Sequence, residues 1–314
     1  MPRPVIVVAR QLPPLFMDAI ASLGEVRVFD ATAPAQSLEG ASVWLGSAVD
    51  ALTADRIASF PDSIGLIANI GVGTDNIDLN AAAKRRLQIS NTPVVTEDTA
   101  DLAMALLLAT CRRLSASERL LREGDFAAGA GQQGIRVHGK TLGIVGFGAI
   151  GQAVARRASG FAMRVIYHGP RPRPEAEAVT GASFCEQLAQ LLAEADIVSL
   201  HCPLTDATRH LFDAGTFAQM KAGAVLINTG RGALVDESAL VDALAGNQLG
   251  GAGLDVFEFE PEVTPALKRF DNVTLLPHIG SATGECRADM AMRALANISA
   301  FLEQGRPLDG VTAA

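Results

Sequence analysis

Three polar side chains that could reduce a carbonyl group follow separate predicted strands in the second half of the chain. They are Arg231, Glu260 and His278, in the segments INTGRGALVDE, GLDVFEFEP and LPHIGSAT. Hydride transfer to a carbonyl needs a proton donor, and histidine donates and accepts protons near neutral pH. A nearby glutamate would stabilise the imidazolium, and an arginine could bind a carboxylate and polarise the adjacent carbonyl. The three residue types therefore suit the reduction of a carbonyl-bearing organic acid.

The positions of these residues favour one shared site, because ligands of open α/β sheets bind beyond the carboxyl ends of the strands. The sequence does not show that the three groups meet. On residue type alone, Arg231 would equally be a surface arginine, Glu260 a solvated loop acid and His278 a turn histidine with satisfied hydrogen bonds. These alternatives stay open at the level of residue types and spacing.

A glycine-rich turn in TLGIVGFGAIGQAVARRA matches the dinucleotide-binding pattern G-x-G-x-x-G. The pattern follows a predicted strand and opens a predicted helix, which is the context that makes it specific. Gly146 permits the tight turn, Gly148 lets the main chain approach a pyrophosphate, and Gly151 lets the helix pack closely on the strand. The free N–H groups and positive dipole end of the helix would bind the phosphates. The alternative is a glycine-rich turn without a ligand.

The end of the next strand indicates which dinucleotide binds. NAD-selective folds of this type place Asp or Glu there, roughly 20 residues after the turn, to bind the ribose hydroxyls. This chain has His168 at that position, and Arg171 and Arg173 follow in the stretch YHGPRPRPEA. Both arginines could bind the 2′-phosphate of NADP through charge-assisted hydrogen bonds. We therefore expect NADP(H) as the preferred cofactor, and NAD(H) stays possible if the arginines are solvated loop charges.

Two series of short apolar runs, alternating with helical patterns, must position these residues. The first series precedes residue 95 and includes PVIVVA, SVWLGS and IGLIANIG, and the second includes TLGIVGFG, DIVSLH, GAVLINT and NVTLLPH. Such alternation predicts βαβ units, and hence an α/β protein with two doubly wound parallel-sheet domains. We also expect a broad apolar helix over about 96–121 at a domain or subunit interface. We further expect a loop over 123–139 and a final helix over about 284–304, with no strand after that helix.

The composition argues against several classes of protein. The 314 residues carry a formal net charge of −8 without a long Lys/Arg run, which argues against a nucleic-acid or anionic-membrane surface. The four cysteines stand far apart without CxxC spacing, so we expect buried thiols in a reduced intracellular protein and no metal site. The start MPRPVIVVAR lacks a signal-sequence pattern, and ADLAMALLLATC is too short to span a bilayer, so we expect a cytoplasmic location.

Taken together, the motifs resemble those of the D-isomer-specific 2-hydroxyacid dehydrogenases, in particular the glyoxylate/hydroxypyruvate reductase branch. The resemblance covers nearly the whole chain, in family order, through NIGVGTDNID, NTPVVTEDTADLAMALLLA, GKTLGIVGFGAIGQAVARRA, ADIVSLHCPLTDATRHLF, MKAGAVLINTGRGALVDESAL, GGAGLDVFEFEP and LPHIGSATGE. It implies that Arg231 binds the substrate, that Glu260 is the partner carboxylate and that His278 is the acid/base. It also implies that the N–H groups of Val72 and Gly73 bind the substrate carboxylate, with a plain tight turn as the alternative.

The resemblance further implies a Rossmann cofactor domain inserted in a flavodoxin-like substrate-binding domain. Residues 1–98 and 285–314 would form the substrate-binding domain, and residues 99–284 the dinucleotide-binding domain. Besides the glycines and arginines already named, the implied cofactor contacts are Thr96, Ala149, Ile150, His168, Gly169, His201, Cys202, Pro203, Thr208, Thr229, Gly230, Asp255 and Gly280.

Two departures from the family pattern concern the cofactor phosphates. Many relatives have Arg before the Ile of the glycine turn, where this chain has Ala149. Branch members usually have an arginine two positions after the residue that matches His168, where this chain has Pro170 followed by Arg171. The identity of the phosphate ligand is therefore open, although the NAD-type acid is plainly absent.

The activity that the resemblance implies is the NADPH-dependent reduction of a small 2-oxo acid, of the glyoxylate/hydroxypyruvate type, to the D-2-hydroxy acid by a homodimer. One alternative is an NAD-dependent dehydrogenase for a bulkier 2-oxo acid such as phenylpyruvate. Another is a non-catalytic, dinucleotide-sensing interaction protein like the corepressor relatives, which the presence of all three catalytic residue types disfavours. Formate dehydrogenases of this superfamily fit less well because they lack the equivalent of Glu260.

Overall fold

The computed structural model describes residues 3–312, which form two compact units. One unit, called the terminal unit below, comprises Met1–Val95 and Ala282–Ala314, and the other, the central unit, comprises Thr96–Ser281. The terminal unit therefore takes its residues from both ends of the chain, whereas the central unit is one continuous segment. Which unit binds the substrate and which the dinucleotide stays a prediction.

Strands and helices alternate along most of the chain. The strands of the described residues are β1 (Val5–Val8), β2 (Glu25–Val28), β3 (Ala41–Ser47), β4 (Leu66–Ile70), β5 (Gln88–Ser90), β6 (Thr141–Val145), β7 (Arg164–His168), β8 (Ser183–Phe184), β9 (Ile197–Leu200), β10 (Ala224–Asn228), β11 (Leu249–Leu254), β12 (Val273–Leu275) and β13 (Gly310–Val311). The helices are α1 (Pro14–Leu23), α2 (Pro34–Leu38), α3 (Ala54–Ala58), α4 (Leu79–Lys84), α5 (Thr96–Cys111), α6 (Leu114–Arg122), α7 (Phe126–Ala130), α8 (Ala149–Ala158), α9 (Pro174–Thr180), α10 (Leu188–Glu194), α11 (Ala214–Gln219), α12 (Glu237–Ala245) and α13 (Gly284–Gln304). Short 3-10 helices span Ser159–Phe161, Gly232–Leu234 and Leu267–Arg269. Within residues 3–312, no helix has the length and apolar character needed to cross a membrane.

The terminal unit contains a sheet with the strand order β13-β5-β4-β3-β1-β2. Neighbouring strands run parallel except for the edge pair β13 and β5, which is antiparallel. Parallel sheets are covered on both faces, which explains why β1 is a continuous apolar run with all of its residues buried. Helix α13 covers one face, where Ala294 and Ile298 join a core with Ile6, Val43 and Leu66. The order β2-β1-β3-β4-β5 is that of flavodoxin-like folds.

The central unit contains a parallel sheet with the strand order β12-β11-β10-β9-β6-β7-β8. The run from β8 to β11 has the Rossmann order, and β12 adds an edge strand. Residues of α5 and α8 form the core on one face, and residues of α10, α11 and α12 form it on the other. Strand order reverses between β6 and β9, which places the ligand-binding switch point beyond their carboxyl ends. Both sheets confirm the predicted fold class.

The predicted helix over about 96–121 is wrong in one respect, since the chain breaks it into α5 and α6. Arg113 lies between them in the left-handed region, with φ of 52°. The apolar face of α5 packs on the sheet of its own unit, where a Cβ on Gly253 would lie 2.6 Å from Thr110 Oγ1 and 2.8 Å from Leu106 Cγ. This close packing accounts for the breadth of the apolar face, so the face is not evidence for a subunit interface.

Three smaller differences concern short elements. Helix α7 lies within the predicted loop over 123–139, β8 has no counterpart in the prediction, and β13 follows the final helix, where no strand was expected. Both strands consist of two residues, which is too short for a periodic pattern. Of the cysteines predicted to be buried, Cys111, Cys185 and Cys286 are buried, whereas Cys202 is half-buried.

Candidate active site

The three predicted catalytic residues lie beyond the carboxyl ends of neighbouring strands in the central unit. Strands β10, β11 and β12 pair so that their last residues are neighbours in the sheet. Arg231 follows β10, Glu260 follows β11 and His278 follows β12. Nδ1 of His278 lies 2.8 Å from Glu260 Oε2, within hydrogen-bond distance. The fold thus brings together the imidazole and the carboxylate that the sequence placed in separate segments.

The hydrogen bond from His278 to Glu260 fixes which ring nitrogen can react. An ionised carboxylate only accepts, so Nδ1 carries the hydrogen and Nε2 is left for a ligand. No group of residues 3–312 bonds Nε2, and the imidazole side chain is 42% exposed. Burial alone would raise the pKa of Glu260, but hydrogen bonds from His278 and the Phe257 N–H, with the charges of His278 and Arg231, lower it below its usual value. Glu260 is therefore ionised at neutral pH and can stabilise an imidazolium.

The turn that carries His278 is attached to Asp255, the residue directly after β11. The N–H of His278 donates to the Asp255 carbonyl at 2.8 Å, and the N–H groups of Ile279 and Gly280 donate to its two carboxylate oxygens, each at 2.8 Å. These bonds hold His278 in the left-handed region, with φ of 55°. Burial raises the pKa of Asp255 despite these donors. Asp255 thus positions the imidazole, and its predicted cofactor contact stays a prediction.

The backbone around Arg231 is held by the side chain of Asn228. The Asn228 amide donates to the Arg231 carbonyl at 2.9 Å, and its oxygen accepts from the Gly230 N–H at 3.0 Å. Nη1 of Arg231 donates to the Gly230 carbonyl at 2.8 Å. Since the guanidinium also lowers the pKa of Glu260, its charge acts at the same site as the imidazole and the carboxylate. A guanidinium placed there can bind a ligand carboxylate.

The glycine turn has the geometry that the sequence pattern requires. Gly146 has φ of +94°, and a Cβ there would lie 2.4 Å from the backbone nitrogen of Cys202. A Cβ on Gly151 would lie 2.3 Å from the Gly146 carbonyl oxygen, so the helix could not pack as it does with any side chain at that position. A Cβ on Gly148 would meet nothing within 4 Å, because the space in front of the turn is open. Among the described residues, no side chain caps α8 at Gly148, which leaves its first N–H groups for a ligand.

One buried hydroxyl supports a ligand at this edge of the sheet. Thr229 follows β10, and its Oγ1 is buried without a hydrogen-bond partner among the described residues. A buried polar atom without a partner costs about 1–3 kcal/mol, so a ligand contact would explain its position. The orphan hydroxyl, the open space at Gly148 and the uncapped helix fit a nicotinamide dinucleotide bound at the switch point.

The other predicted cofactor contacts lie at the ends of elements in the central unit. Ser199 Oγ lies 2.8 Å from Nε2 of His201, and burial lowers the pKa of His201 to about 4. The Thr208 hydroxyl donates to the Pro203 carbonyl at 2.7 Å, within its own loop. Thr96 begins α5, and the remaining positions follow strands or open α8: Ala149, Ile150, Gly169, Cys202, Gly230 and Gly280. Their cofactor roles stay predictions.

The loop with Arg171 and Arg173 is anchored by a buried tyrosine at the end of β7. Burial and the Glu177 carboxylate raise the pKa of Tyr167 to about 12, and its hydroxyl donates to Glu177 Oε1 at 2.5 Å. The Arg173 N–H donates to the Tyr167 hydroxyl at 2.6 Å. The Tyr167 ring stacks on Phe147 of the glycine turn, with centroids 3.9 Å apart. Both arginines are exposed, and neither forms an ion pair in the described part of the chain.

The imidazole of His168, at the position of the NAD-type acid, is held by the residue that follows β8. Its Nδ1 lies 3.0 Å from the carbonyl oxygen of Cys185, which can only accept, so Nδ1 donates. Nε2 is then the nitrogen left to meet a ligand. No carboxylate occupies the end of β7, where a ribose-binding acid would lie.

The loop with Val72 and Gly73 belongs to the terminal unit and is held by three polar side chains. Asn91 donates to the Val72 carbonyl at 2.8 Å, Asn69 donates to the Gly73 carbonyl at 2.8 Å, and the Gly71 N–H donates to the Thr92 hydroxyl at 2.8 Å. Within residues 3–312, the N–H groups of Val72 and Gly73 make no hydrogen bond. The loop therefore has its carbonyls engaged and two donors free, as an anion-binding turn requires.

Sequence reasoning missed the side chains that hold the site's backbone in place. Asn228, Asn69 and the carboxylate of Asp255 do so through hydrogen bonds to main-chain groups. Sequence reasoning also missed Glu237, which is only 3% exposed and accepts a hydrogen bond from the Glu258 N–H. The sequence signal at Glu237 was that of an ordinary acidic residue in the first turn of a helix. Nothing in residue type separates a buried carboxylate of this kind from a solvated one.

Comparison with known proteins gives similarities along the whole chain. The model of the D-isomer specific 2-hydroxyacid dehydrogenase NAD binding domain matches residues 104–280. Glyoxylate reductase from Thermococcus litoralis is 42% identical over 311 residues, which cover 95% of this chain and 94% of that protein. A solved NADPH-dependent glyoxylate/hydroxypyruvate reductase from Sinorhizobium meliloti, in complex with NADP and malonate, is 35% identical with a TM-score of 0.91 and covers 98% of this chain and 97% of its own. The holo form of Rhodotorula graminis D-mandelate dehydrogenase is 32% identical with a TM-score of 0.92. The match covers 100% of this chain and 99% of that chain.

Proposed function

The chain belongs to the family of D-isomer-specific 2-hydroxyacid dehydrogenases, in the glyoxylate reductase branch, and from this premise we propose that it reduces small 2-oxo acids with NADPH. This membership confirms the resemblance stated for the motifs. The proposed substrates are glyoxylate and hydroxypyruvate, and the proposed product is the D-2-hydroxy acid. The observation that carries the proposal is the 2.8 Å contact of His278 with Glu260 beyond the carboxyl ends of a Rossmann sheet. It supplies a proton donor where a dinucleotide's reactive ring would bind.

In the proposed reaction, each of the three groups has one task. A bound nicotinamide dinucleotide would supply the hydride. His278 donates a proton from Nε2 to the carbonyl oxygen, because Nδ1 is engaged by Glu260. Glu260 keeps the ring oriented through its hydrogen bond with Nδ1 and places a negative charge beside the proton donor. Arg231 binds the substrate carboxylate and polarises the neighbouring carbonyl.

In the terminal unit, we propose an anion-binding role for the free N–H groups of Val72 and Gly73. Their carbonyls are already bound by asparagine side chains, so the loop can offer donors without rearrangement. A carboxylate is the natural acceptor for two adjacent backbone N–H groups. Because no side chain supplies these donors, the role is tested through Asn69, whose loss would free the Gly73 carbonyl and raise the KM for the 2-oxo acid.

The preference for NADPH rests on the loop after β7. The end of that strand has His168 instead of a ribose-binding acid, and the guanidinium groups of Arg171 and Arg173 form no ion pair among the described residues. The hydrogen bond of the Arg173 N–H to Tyr167 fixes the backbone from which that side chain extends. Each hydrogen bond to a charged group is worth about 1.5–3 kcal/mol, so one arginine on the 2′-phosphate would give roughly tenfold preference or more.

Steady-state kinetics with NADPH and NADH, measured separately on glyoxylate, hydroxypyruvate and phenylpyruvate, test the proposal. We expect the highest kcat/KM for NADPH with one of the two small acids. A preference for NADH with phenylpyruvate would instead support the dehydrogenase for a bulkier substrate. Absence of turnover on the whole panel, with dinucleotide still bound, would support the non-catalytic alternative.

Two sets of variants test the residue roles. His278→Ala and Arg231→Ala should each abolish turnover while the thermal unfolding midpoint stays near that of the wild type. The double variant Arg171→Ala/Arg173→Ala should raise the KM for NADPH and leave the KM for NADH unchanged. Arg269→Ala, an exposed arginine at the end of a 3-10 helix, is the matched control. Equal changes for both dinucleotides would contradict the 2′-phosphate assignment.

A further inference from the structure

Two glutamates outside the catalytic set, Glu237 and Glu258, bind each other's backbone. The Glu258 N–H donates to Glu237 Oε1 at 2.8 Å, and the Glu237 N–H lies 3.4 Å from Glu258 Oε2. Glu237 is the first residue of α12, and Glu258 lies in the loop after β11. The two contacts therefore join the segment that follows Arg231 to the segment that precedes Glu260.

Both carboxylates of this pair have further donors. The Thr264 hydroxyl donates to Glu237 Oε2, and Nε2 of His210 lies 2.6 Å from Glu258 Oε1. Glu237 is 3% exposed, and the Glu258 side chain is 12% exposed. Burying a carboxylate is costly unless its oxygens are hydrogen-bonded. The pair meets that condition through groups from three separate segments, which fixes those segments relative to one another.

Glu237 and the catalytic Glu260 accept hydrogen bonds from two consecutive backbone N–H groups. The Phe257 N–H donates to Glu260 Oε1 at 2.9 Å, and the next N–H along the chain, that of Glu258, donates to Glu237. The Gly232 backbone lies close to the same peptide, since a Cβ on Gly232 would lie 1.8 Å from the Phe257 carbonyl carbon. The peptide between Phe257 and Glu258 thus packs against the Gly232 backbone and donates its N–H to the Glu237 carboxylate. This peptide meets the preceding one at the Phe257 Cα, so holding it in place restrains the residue whose own N–H binds Glu260.

We propose that Glu237 is a positioning residue for catalysis, which acts through the Phe257–Glu258 peptide to hold Glu260 against His278 and the Arg231 segment against both. Glu237 does not touch the reacting atoms. Its effect is therefore on the geometry of the proton donor and not on the binding of the dinucleotide at the glycine turn. The kinetic part of this inference rests on the proposed 2-oxo acid reduction.

The pair Glu237→Ala and Glu237→Gln tests the proposal, because glutamine keeps an oxygen to accept from the Glu258 N–H. We expect Glu237→Ala to lower kcat about tenfold or more while the KM for the dinucleotide changes less than about twofold. Glu237→Gln should retain kcat within about threefold of the wild type. Glu262→Ala, an exposed acid in the same loop, is the matched control and should be unchanged. Equal loss in the Ala and Gln variants, or full kcat in the Ala variant, would overturn the proposal.

Hydrogen–deuterium exchange of the peptide covering 255–262 separates this inference from the proposed function. We expect faster exchange at the Phe257 and Glu258 amides in Glu237→Ala and exchange near the wild-type rate in Glu237→Gln, whether or not any 2-oxo acid is reduced. If Glu237→Ala does not fold, Thr264→Val removes only the hydroxyl donor to Glu237 and should produce a smaller change of the same kind. Unchanged exchange in the folded variants would overturn the proposal even if the wild type is active.

Discussion

The substitution Gly148→Ala should weaken dinucleotide binding without disturbing the fold. A Cβ at this position would meet no protein atom within 4 Å, and the backbone angles, φ −78° and ψ −164°, are open to alanine. The added methyl group would instead occupy the open space in front of the turn, where a pyrophosphate would approach the main chain. We therefore expect a folded protein that binds the dinucleotide poorly.

The magnitudes of the two effects differ enough to be measured apart. Replacing glycine by alanine at a compatible position stabilises by about 0.4–1 kcal/mol, and the weaker N-cap preference of alanine offsets part of that gain. The unfolding midpoint should thus move by no more than about 2–4 °C. Loss of one hydrogen bond to a charged phosphate costs about 1.5–3 kcal/mol, which is a tenfold to 150-fold loss of affinity.

Calorimetric titration of NADPH and thermal unfolding of the same samples give both quantities. Gly160→Ala is the matched control, because a Cβ there also meets nothing within 4 Å but lies away from the turn. Gly151→Ala provides the opposite case, since its Cβ would lie 2.3 Å from the Gly146 carbonyl oxygen and should destabilise the central unit. Wild-type affinity in Gly148→Ala would refute the assignment of the open space to the pyrophosphate.

Three further predictions concern buried or paired titratable groups. Hydrogen bonds from Arg293 outweigh burial and lower the pKa of Asp309, so its carboxylate stabilises the protein above the unfolded-state pKa and ceases to do so as the pH falls through the lower folded-state value. Asp309→Asn should lose about 1–3 kcal/mol in urea unfolding at pH 7, and equal stability of the two proteins at that pH would contradict this. Burial lowers the pKa of His201 from 6.5 to about 4, so unfolding binds a proton between these values. Stability should therefore decline from pH 7 to pH 5, with a smaller decline in His201→Gln, and a parallel decline would argue against the imidazole as the cause. Asp255→Asn places a donor against the N–H of Ile279 or Gly280 and should lower kcat about tenfold, so a variant with unchanged steady-state kcat would show that the turn does not depend on these bonds.

Much of the fold could be predicted because its determinants are local in the sequence. Apolar runs such as VIVV of β1 and AVLIN of β10 are buried strands, as a parallel sheet covered on both faces requires. The turn at Gly146 combines a close backbone approach with an open helix terminus, and the spacing of its glycines encodes both. Helix α13 spans the predicted residues, from the cap at Thr283 to Gly305, which ends it in a left-handed conformation.

The elements that were not predicted depend on interactions that residue types and local sequence patterns do not indicate. The break at Arg113 requires a left-handed residue with no glycine or asparagine to signal it. Strand β13 exists only because it pairs with β5, which lies more than 200 residues earlier in the chain. The roles of Asp255 and Glu237 could not be predicted for a related reason. Each carboxylate accepts N–H groups from a segment distant in the sequence, and residue type does not indicate such a contact.

The composition of the terminal unit from both ends of the chain has a consequence for the order of events during synthesis. Its core requires Ala294 and Ile298, and its edge is completed by β13, so the first 95 residues leave the ribosome without the partners that cover them. The central unit, which is continuous, has all of its strands once Ser281 has been made. The central unit can therefore fold before the terminal unit does, although residues 3–95 are translated ahead of it.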